Sequence, residues 1–380
     1  MNKKNIRLMY AISLLHGMVF YGPIATLYRQ AAGVSVFQIT LIESISYILC
    51  ILFEVPWGIV ADRIGYKKTM IFCCGLYFIS KLVFWQAAGF GGFLLERVML
   101  SIVIAGFTGV DSSILYLSCE KEDSQKVFGI YNGLGTVGLV AASLVYSLAV
   151  GDNYRAAGFL TVCSYGLAAL LSVFLEEVKG EGHCRFQPGA FREILSRTLR
   201  NKSLLLFLAA VSFMSQTTQT VVVFLNQIQY QKCGLSPGAI GLIYIPVTLA
   251  GTLGIFSGKI TRRVGVKYAG MAFFAMAATA CLTLGFTGRA FVSVAAILLL
   301  NLCHSLFQPL QAKAQNDQVL SENRATELSV YAILIDGICA GTSMLFGAFA
   351  KISLEAALFL GAALALCGMI LYGIWHKRSN

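Results

Sequence analysis

Long apolar runs separated by short polar segments recur along the whole chain. Each run approaches the roughly 20 mostly apolar residues that an α-helix needs to cross the hydrocarbon core of a bilayer. The pattern therefore predicts twelve membrane-spanning helices, read from the apolar runs in chain order. The predicted spans are 8–29, 38–60, 69–88, 93–117, 125–149, 155–175, 203–228, 237–258, 267–287, 290–312, 326–349 and 355–375.

Composition supports this interpretation. Of the 380 residues, 57% are hydrophobic and only 12% are charged, whereas a soluble domain carries about 25% charged residues. These values exclude a soluble enzyme, a disordered protein and a nucleic-acid-binding protein, and they leave no room for a sizeable domain outside the membrane. The predicted fold class is an all-α membrane protein with twelve transmembrane helices in two pseudo-symmetric six-helix bundles.

The basic residues predict the orientation. Lys3, Lys4 and Arg7 precede the first span, and no small-residue cleavage pattern follows it, so that span is interpreted as a helix and not as a secretory signal. An N-terminus in the cytoplasm places most of the 29 Lys and Arg residues on cytoplasmic segments. We therefore expect a multi-pass protein of the cell membrane with both termini cytoplasmic. The net charge of +11 then indicates attraction to anionic lipid and not to nucleic acid.

The longest polar segment divides the spans six and six. It predicts an N-terminal bundle over 1–176, a cytoplasmic linker over 177–202 and a C-terminal bundle over 203–380. Within the linker, Phe191, Ile194, Leu195 and Leu199 recur at helical spacing opposite basic residues, which favours a short amphipathic helix on the inner leaflet. A merely solvated linker remains the alternative.

A loop motif repeats in the two halves. The same glycine spacing follows the second and eighth spans at an offset of 200 residues, with basic residues in both copies. The first copy comprises Gly58, Asp62, Arg63, Gly65, Lys67 and Lys68, and the second comprises Gly258, Arg262 and Gly265. Glycine permits close helix approach and tight turns, so these residues are predicted to form a tight turn between closely packed helices in each half.

This motif, with the span count, the orientation and the central linker, resembles the major facilitator superfamily. Glu54-Val-Pro56-Trp57-Gly58 also resembles bacterial drug-efflux-like members. The resemblance implies that the two copies of the motif are gating loops, and that Asp62 and Arg63 latch the two halves when the transporter faces outward. It further implies that the first, fourth, seventh and tenth helices line a central cavity.

Polar stripes fall on those four helices. In lipid a polar side chain is costly unless it faces protein or water, and residues three, four or seven apart share one helical face. The alternative is that these residues only tie helices together through hydrogen bonds. The candidate cavity residues are Tyr21, Ser112, Gln216, Gln219, Asn226, Asn301, Gln308 and Gln311.

Ionisable groups inside the spans are candidates for proton coupling, because each is costly to place in the membrane. Asp111 on the fourth span is the leading candidate, with His304 and His16 as secondary ones. Glu43 and Lys81 are predicted to form a structural ion pair. The role of Asp336 in the eleventh span stays open.

The sequence therefore predicts a secondary active transporter for a small amphiphilic organic solute, with proton-coupled export as the favoured direction. The fifth span lacks the Gly-Pro pair of the antiporter signature, so proton-coupled or facilitated uptake remains an alternative, as does a non-transporting sensor. No phosphate-binding loop and no zinc motif of an intramembrane protease is found in the sequence. We expect no metal and no cofactor, and partners limited to the solute, protons and lipid, in a monomer.

Overall fold

A computed structural model describes residues 2–107, 110–120, 124–151, 153–178, 188–319 and 324–379. Within its helices the side chains of 54–56, 58–63, 124–125, 188–190, 324–325 and 379 lie outside the description. All regular structure in the described ranges is helical.

The twelve predicted spans are confirmed, because twelve helical segments of the described chain are long and apolar enough to cross a membrane. Their ends lie within five residues of the predicted ones, except at Phe53 and Val264, where the differences are seven and six residues. The spans are Lys3–Ala31, Val36–Phe53, Tyr66–Gln86, Gly89–Ser118, Lys126–Val150, Tyr154–Val173, Lys202–Lys232, Pro237–Val264, Val266–Phe286, Ala290–Asp317, Thr326–Ile352 and Leu354–Arg378.

The α-helices are numbered in chain order. They are α1 Lys3–Gly17, α2 Ala25–Ala31, α3 Val36–Ile64, α4 Tyr66–Gln86, α5 Gly89–Phe107, α6 Val110–Ser118, α7 Ser124–Val145, α8 Tyr154–Val173, α9 Pro188–Arg200, α10 Lys202–Thr218, α11 Asn226–Lys232, α12 Pro237–Gly251, α13 Ser257–Val264, α14 Val266–Phe286, α15 Ala290–Asp317, α16 Arg324–Ile352 and α17 Leu354–Ser379.

Several spans depart from regular α-helix within their length. The first contains a 3-10 turn at Gly22–Ile24, and the eighth contains another at Thr252–Phe256, after Pro246 has removed a backbone donor from α12. The fifth ends in a π-helix at Tyr146–Val150, and the seventh contains one at Gln219–Leu225. Such segments change the direction of the side chains that follow them.

The sequence repeat is also a backbone repeat. α4 and α14 each contain 21 residues and begin 200 positions apart. Gly65 and Gly265 precede them with φ of 91° and 87°, a left-handed conformation in which a side chain would be strained.

The chain packs as two units, each described by itself. The first unit comprises Met1–Val34, Ile48–Phe186 and Pro237–Ile245. In it α1 packs against α7 and α8, while α4 packs against α5 and α8. The backbones approach closely where α1 meets α7, because a Cβ at Gly138 would overlap the carbonyl oxygen of Leu14.

The second unit comprises Ser35–Tyr47, Gln187–Ser236 and Pro246–Asn380. In it α14 packs against α15 and α17, and α10 packs against α16 and α17. The beginning of α3 also belongs here: Ser44 Oγ donates to the carbonyl of Ala340 at 2.9 Å, and Ser343 Oγ donates to that of Thr40 at 3.0 Å. The units therefore differ from the predicted bundles 1–176 and 203–380 in two places. Residues 35–47 pack in the second unit, and residues 237–245 pack in the first.

The linker contains α9, which packs against α16. Ile194 and Thr198 are buried on one face. Arg197 Nη2 forms an ion pair with Glu327 Oε2 at 2.8 Å. This face of the helix contacts protein, and contact of the other face with the inner leaflet stays a prediction.

Candidate transport residues in the two units

The first unit contains a buried ion pair. Lys81 Nζ on α4 lies 3.0 Å from Glu96 Oε1 on α5, and the two side chains are 4% and 1% exposed. Lys81 thus pairs with Glu96 and not with Glu43, the partner that the sequence analysis predicted. Because charges inside a membrane protein are expensive unless they are paired, the pair points to a functional or strictly structural requirement.

Three tyrosines surround the ammonium group of Lys81. It lies 5.1 Å from the ring centroid of Tyr77, 5.6 Å from that of Tyr165 and 5.7 Å from that of Tyr21. Aromatic faces attract cations within about 6 Å, most strongly when water is excluded. Tyr21, predicted as a cavity residue, is itself buried and stacks on Phe84 with centroids 3.9 Å apart. The three tyrosine rings stabilise a positive charge that Glu96 also neutralises.

His16 lies in the same aromatic surroundings. Its ring centroid is 5.0 Å from Tyr165, 5.1 Å from Tyr77 and 5.5 Å from Phe107. The Tyr165 hydroxyl donates to the His16 carbonyl at 2.7 Å and so fixes α8 against α1. The buried Nε2 of His16 has no hydrogen-bond partner among the described residues, so the imidazole has unused capacity for a proton or a polar ligand.

Asp111 contacts a different tyrosine. Its Oδ1 accepts hydrogen bonds from the backbone N–H of Ser112 at 2.6 Å and from the Ser112 hydroxyl at 3.2 Å. Its Oδ2 accepts a bond from the Tyr131 hydroxyl at 3.3 Å. The Tyr131 carbonyl in turn accepts from Ser13 on α1 at 2.7 Å. Asp111 is half-buried and connects through these groups to α7 and α1.

In the seventh span the polar side chains bond mostly to their own helix. The Gln216 side-chain amide donates to Thr220 Oγ1 at 2.9 Å, and its oxygen has no partner among the described residues. Asn226 Oδ1 accepts from the backbone N–H of Gln227 at 2.7 Å. Gln219 is half-buried and opens the π segment. A π-helix closes i→i+5 hydrogen bonds, so its residues are spaced differently around the axis from those of an α-helix. The π segment Gln219–Leu225 therefore turns Asn226 away from the helical face that its spacing from Gln216 predicted.

The tenth span contains one amide side chain that joins two helices and a pair of neighbouring side chains that are available to a ligand. Asn301 Nδ2 donates to the Val247 carbonyl of α12 at 2.7 Å, so this residue ties two helices together. One turn further, the side-chain nitrogen of Gln308 lies 3.1 Å from His304 Nε2. Gln308 is exposed, and the buried His304 Nδ1 has no partner among the described residues. Gln311 follows at half-burial, beyond Pro309.

The gating-loop residues divide into those the structure describes and those it does not. Gly58, Asp62 and Arg63 belong to α3, but their side chains lie outside the described residues, so the latch stays a prediction. The backbone N–H of Lys67 donates to Glu177 Oε1 at 3.2 Å, and Lys68 is exposed. In the second copy Arg262 Nε donates to the Gly258 carbonyl at 3.1 Å.

Sequence reasoning missed Glu96 and the two tyrosines Tyr77 and Tyr165. A signal was available, because α4 ends at Gln86 and α5 begins at Gly89. Antiparallel helices with so short a connection bring residues at similar distances from the turn side by side. Lys81 and Glu96 fulfil that condition across this turn. Tyr77 had a signal too, because it lies four residues before Lys81 on the same face of α4. Tyr165 comes from α8 and has no comparable signal.

The sequence model of the Major Facilitator Superfamily matches residues 8–341. The chain belongs to the Major Facilitator Superfamily. It is therefore a multi-pass membrane protein of a transporter family, and it is not an enzyme. The predicted resemblance is confirmed at the level of the superfamily.

Two relatives are each 26% identical to this chain. One is an uncharacterised MFS-type transporter of Methanocaldococcus jannaschii, aligned over 170 residues that make up 43% of this chain and 42% of the relative. The other is an uncharacterised transporter of Buchnera aphidicola subsp. Schizaphis graminum, aligned over 124 residues, 33% and 30% of the two chains. This chain thus aligns with less than half the length of either relative.

Solved superfamily structures share the fold at low identity. A mutant of the nucleoside transporter NupG is 14% identical with a TM-score of 0.84, covering 99% of this chain and 100% of its own. A bacterial homologue of the human lysosomal transporter Spinster, inward-facing and unoccupied, is 17% identical with a TM-score of 0.74, covering 99% and 98%. The human organic anion transporter MFSD10 (TETRAN) is 15% identical with a TM-score of 0.64, covering 98% and 99%.

Proposed function

We propose that this superfamily member is a proton-coupled secondary transporter that exports a small amphiphilic organic solute by alternating access. The observation that carries the proposal is that ionisable side chains and uncharged polar side chains lie on different spans. Ionisable side chains lie close together in the first unit, where Lys81 and Glu96 are buried and the half-buried His16 contacts two of the tyrosines that surround Lys81. Between Lys202 and Lys232, and from Ala290 to Ala312, the seventh and tenth spans contain no charged residue.

Proton coupling is assigned to Asp111. A carboxyl group that is half-buried can release and take up a proton at accessible pH, since burial opposes its charged form. Its bonds to Tyr131 and Ser112 place it where protonation alters contacts between helices. Glu96 is the second candidate carboxylate, although Lys81 already pairs with it.

Solute recognition is assigned to the uncharged polar groups. His304 Nδ1 and the Gln216 side-chain oxygen are buried without partners among the described residues, and the exposed Gln308 adjoins His304. Groups of this kind orient a ligand by hydrogen bonding inside a mostly apolar site. They favour a solute with neutral polar groups and an apolar body.

Export is the favoured direction because Glu54-Val-Pro56-Trp57-Gly58 is similar to drug-efflux-like members. Similarity in fold to the nucleoside transporter NupG supplies a second solute class for testing, without assigning it to this chain.

The test is flux through inverted vesicles containing the purified protein, with an imposed pH difference and a panel of amphiphilic solutes and nucleosides. An acidic interior should drive solute accumulation if solute leaves the cell in exchange for protons. Accumulation driven only by the opposite gradient would establish uptake, and binding without flux would indicate a sensor.

Asp111→Asn separates coupling from recognition. In this variant gradient-driven accumulation should fall to the level of empty vesicles, while solute exchange without a gradient continues. Glu193→Gln, which removes an exposed carboxylate from α9, serves as the control and should leave both activities unchanged. Full gradient-driven transport by Asp111→Asn would rule out its assignment.

A further inference from the structure

The two halves begin their third and ninth spans with the same backbone geometry. Gly65 precedes α4 and Gly265 precedes α14, both at positive φ. Each glycine carbonyl accepts a bond from the N–H four residues later, Thr69 at 3.1 Å and Ala269 at 3.0 Å. The first N–H groups of a helix lack partners within the helix and carry partial positive charge, so both helix starts favour an anion.

In the first half the chain supplies that anion itself. Glu177 follows the sixth span, and its Oε1 accepts a hydrogen bond from the backbone N–H of Lys67 at 3.2 Å. Its carboxylate lies directly against Gly65, where an added Cβ would approach Glu177 Oε2 to 2.8 Å. A carboxylate therefore occupies the beginning of α4.

In the second half the corresponding position carries the opposite charge. The residue 200 positions after Glu177 is Lys377, which is exposed. The beginning of α14, at Val266, instead borders a pocket of about 320 Å³. Lys313 and Asp317 from the end of α15 and Trp375 from the end of α17 also line this pocket.

The pocket combines donors with an apolar wall. Trp375 is 5% exposed, and its indole N–H has no hydrogen-bond partner among the described residues. Lys313 supplies an ammonium group, while Pro309 and Leu310 supply apolar surface. Asp317 is the acidic member of the lining and opposes a bare anion, but it can accept a hydrogen bond from a hydroxyl group of the ligand.

The position of the pocket indicates the source of the anion. It lies where the spans Pro237–Val264, Ala290–Asp317 and Leu354–Arg378 end. Arg262, Arg263 and Lys267 lie nearby in sequence at the same helix ends. Basic pockets between helices at a membrane border bind anionic lipid headgroups, and a volume of about 320 Å³ exceeds the need of a single inorganic ion.

We propose that this pocket binds the phosphate of an anionic phospholipid whose headgroup carries hydroxyl groups. The free N–H groups at the start of α14, the Lys313 ammonium and the Trp375 indole N–H donate to the phosphate, and Asp317 accepts from the headgroup. The bound lipid holds the ends of α13, α14, α15 and α17 together in the second unit, as Glu177 joins the end of α8 to the start of α4 in the first.

Native mass spectrometry of the purified full-length protein tests the site, with phosphatidylglycerol, phosphatidylcholine and soluble glycerol phosphate as probes. Phosphatidylglycerol should bind in preference to the other two. Lys313→Gln and Trp375→Phe should each weaken its binding by about tenfold, as expected for the loss of one hydrogen bond to a charged group. Lys259→Gln removes a charge from the same region outside the pocket lining and should retain binding.

A reciprocal variant uses the internal repeat. Lys377→Glu places a carboxylate at the position that corresponds to Glu177 in the sequence repeat, two residues after Trp375 of the pocket lining. It should therefore displace phosphatidylglycerol more strongly than the equal charge reversal Lys259→Glu. Thermal melting of each variant shows that it is folded. Equal binding of phosphatidylcholine overturns the proposal, as does equal binding of glycerol phosphate, which would make the ligand a free phosphate. Indistinguishable loss in Lys313→Gln and Lys259→Gln would also overturn it.

Discussion

The two halves of the transporter share a helical framework but differ in what they bury within it. In the first half Lys81 and Glu96 form a buried ion pair between α4 and α5. The residues 200 positions later are Cys281 and Ala296, which are 0% and 5% exposed. Equivalent positions are therefore buried in both halves, but only the first half places charge at this pair of positions.

This difference shows which properties of the repeat are determined by the backbone. Asn2 and Asn201 both accept a hydrogen bond at 3.1 Å from the N–H three residues later, at the start of the first and seventh spans. Helix starts need such partners in either half. Buried side chains are not constrained in this way, so one half can acquire an ion pair at positions that are apolar in the other.

The tyrosines at 131 and 331 show a smaller version of the same contrast. Each hydroxyl donates to a carboxylate, Tyr131 to Asp111 at 3.3 Å and Tyr331 to Glu327 at 2.7 Å. Glu327 also pairs with Arg197, whereas the bonds shown for Asp111 come from neutral hydroxyl and amide groups. The second carboxylate therefore has a cationic partner, whereas the partners shown for Asp111, the proposed coupling group, are neutral.

The largest expected effect comes from breaking the buried pair. Glu96→Gln leaves Lys81 buried without its counter-charge and should destabilise the protein by about 3–5 kcal/mol. Thermal unfolding in detergent measures the loss. The double variant Lys81→Met with Glu96→Leu, which makes this pair of positions apolar as it is in the second half, should recover most of the stability while solute flux stays impaired. A stable single variant with normal flux would remove the distinction between the halves.

An intermediate effect is expected at the two tyrosines. Tyr331→Phe removes a donor from the buried Glu327 and should cost about 1–3 kcal/mol, whereas Tyr131→Phe should cost less because its bond is longer and half-buried. The second change should instead shift the pH at which gradient-driven transport is half-maximal. Parallel melting curves and pH profiles of flux measure both. An unchanged pH profile in Tyr131→Phe would contradict the titrating role of Asp111.

The smallest effect concerns an exposed contact of the first half. Hydrogen bonds from Lys4 and Asn2, together with the Lys4 charge, lower the pKa of Glu176. A lowered pKa means that the contact stabilises the folded protein above the ordinary pKa of the carboxyl and loses this contribution as pH falls through the lowered value. Exposed pairs contribute little. The change should therefore be visible only as weaker protection of the α1 amides at acidic pH, measured as the exchange rate relative to the intrinsic rate at the same pH. The same loss of protection in Lys4→Gln, where the contact is already absent, would show that Glu176 is not responsible.

The sequence alone determined the class of fold. Twelve apolar runs of membrane-spanning length, the offset of 200 between the glycine loops and the polar stripes were all visible in it. They predicted the number and approximate positions of the spans, and they predicted the superfamily. These properties are local, because the length of an apolar helix and the need for glycine at a positive φ depend on neighbours in the chain.

Tertiary structure decided which polar groups meet. The sequence could place Glu43 and Lys81 at similar depth, but only packing of α4 against α5 selected Glu96 as the partner of Lys81. It could not predict the π segment that disturbs the phase of Asn226, nor the use of Asn301 to tie α15 to α12. Spacing specifies the face of a regular helix, whereas the rotation of each helix and the neighbour it meets follow from the packing of side chains distant in the sequence.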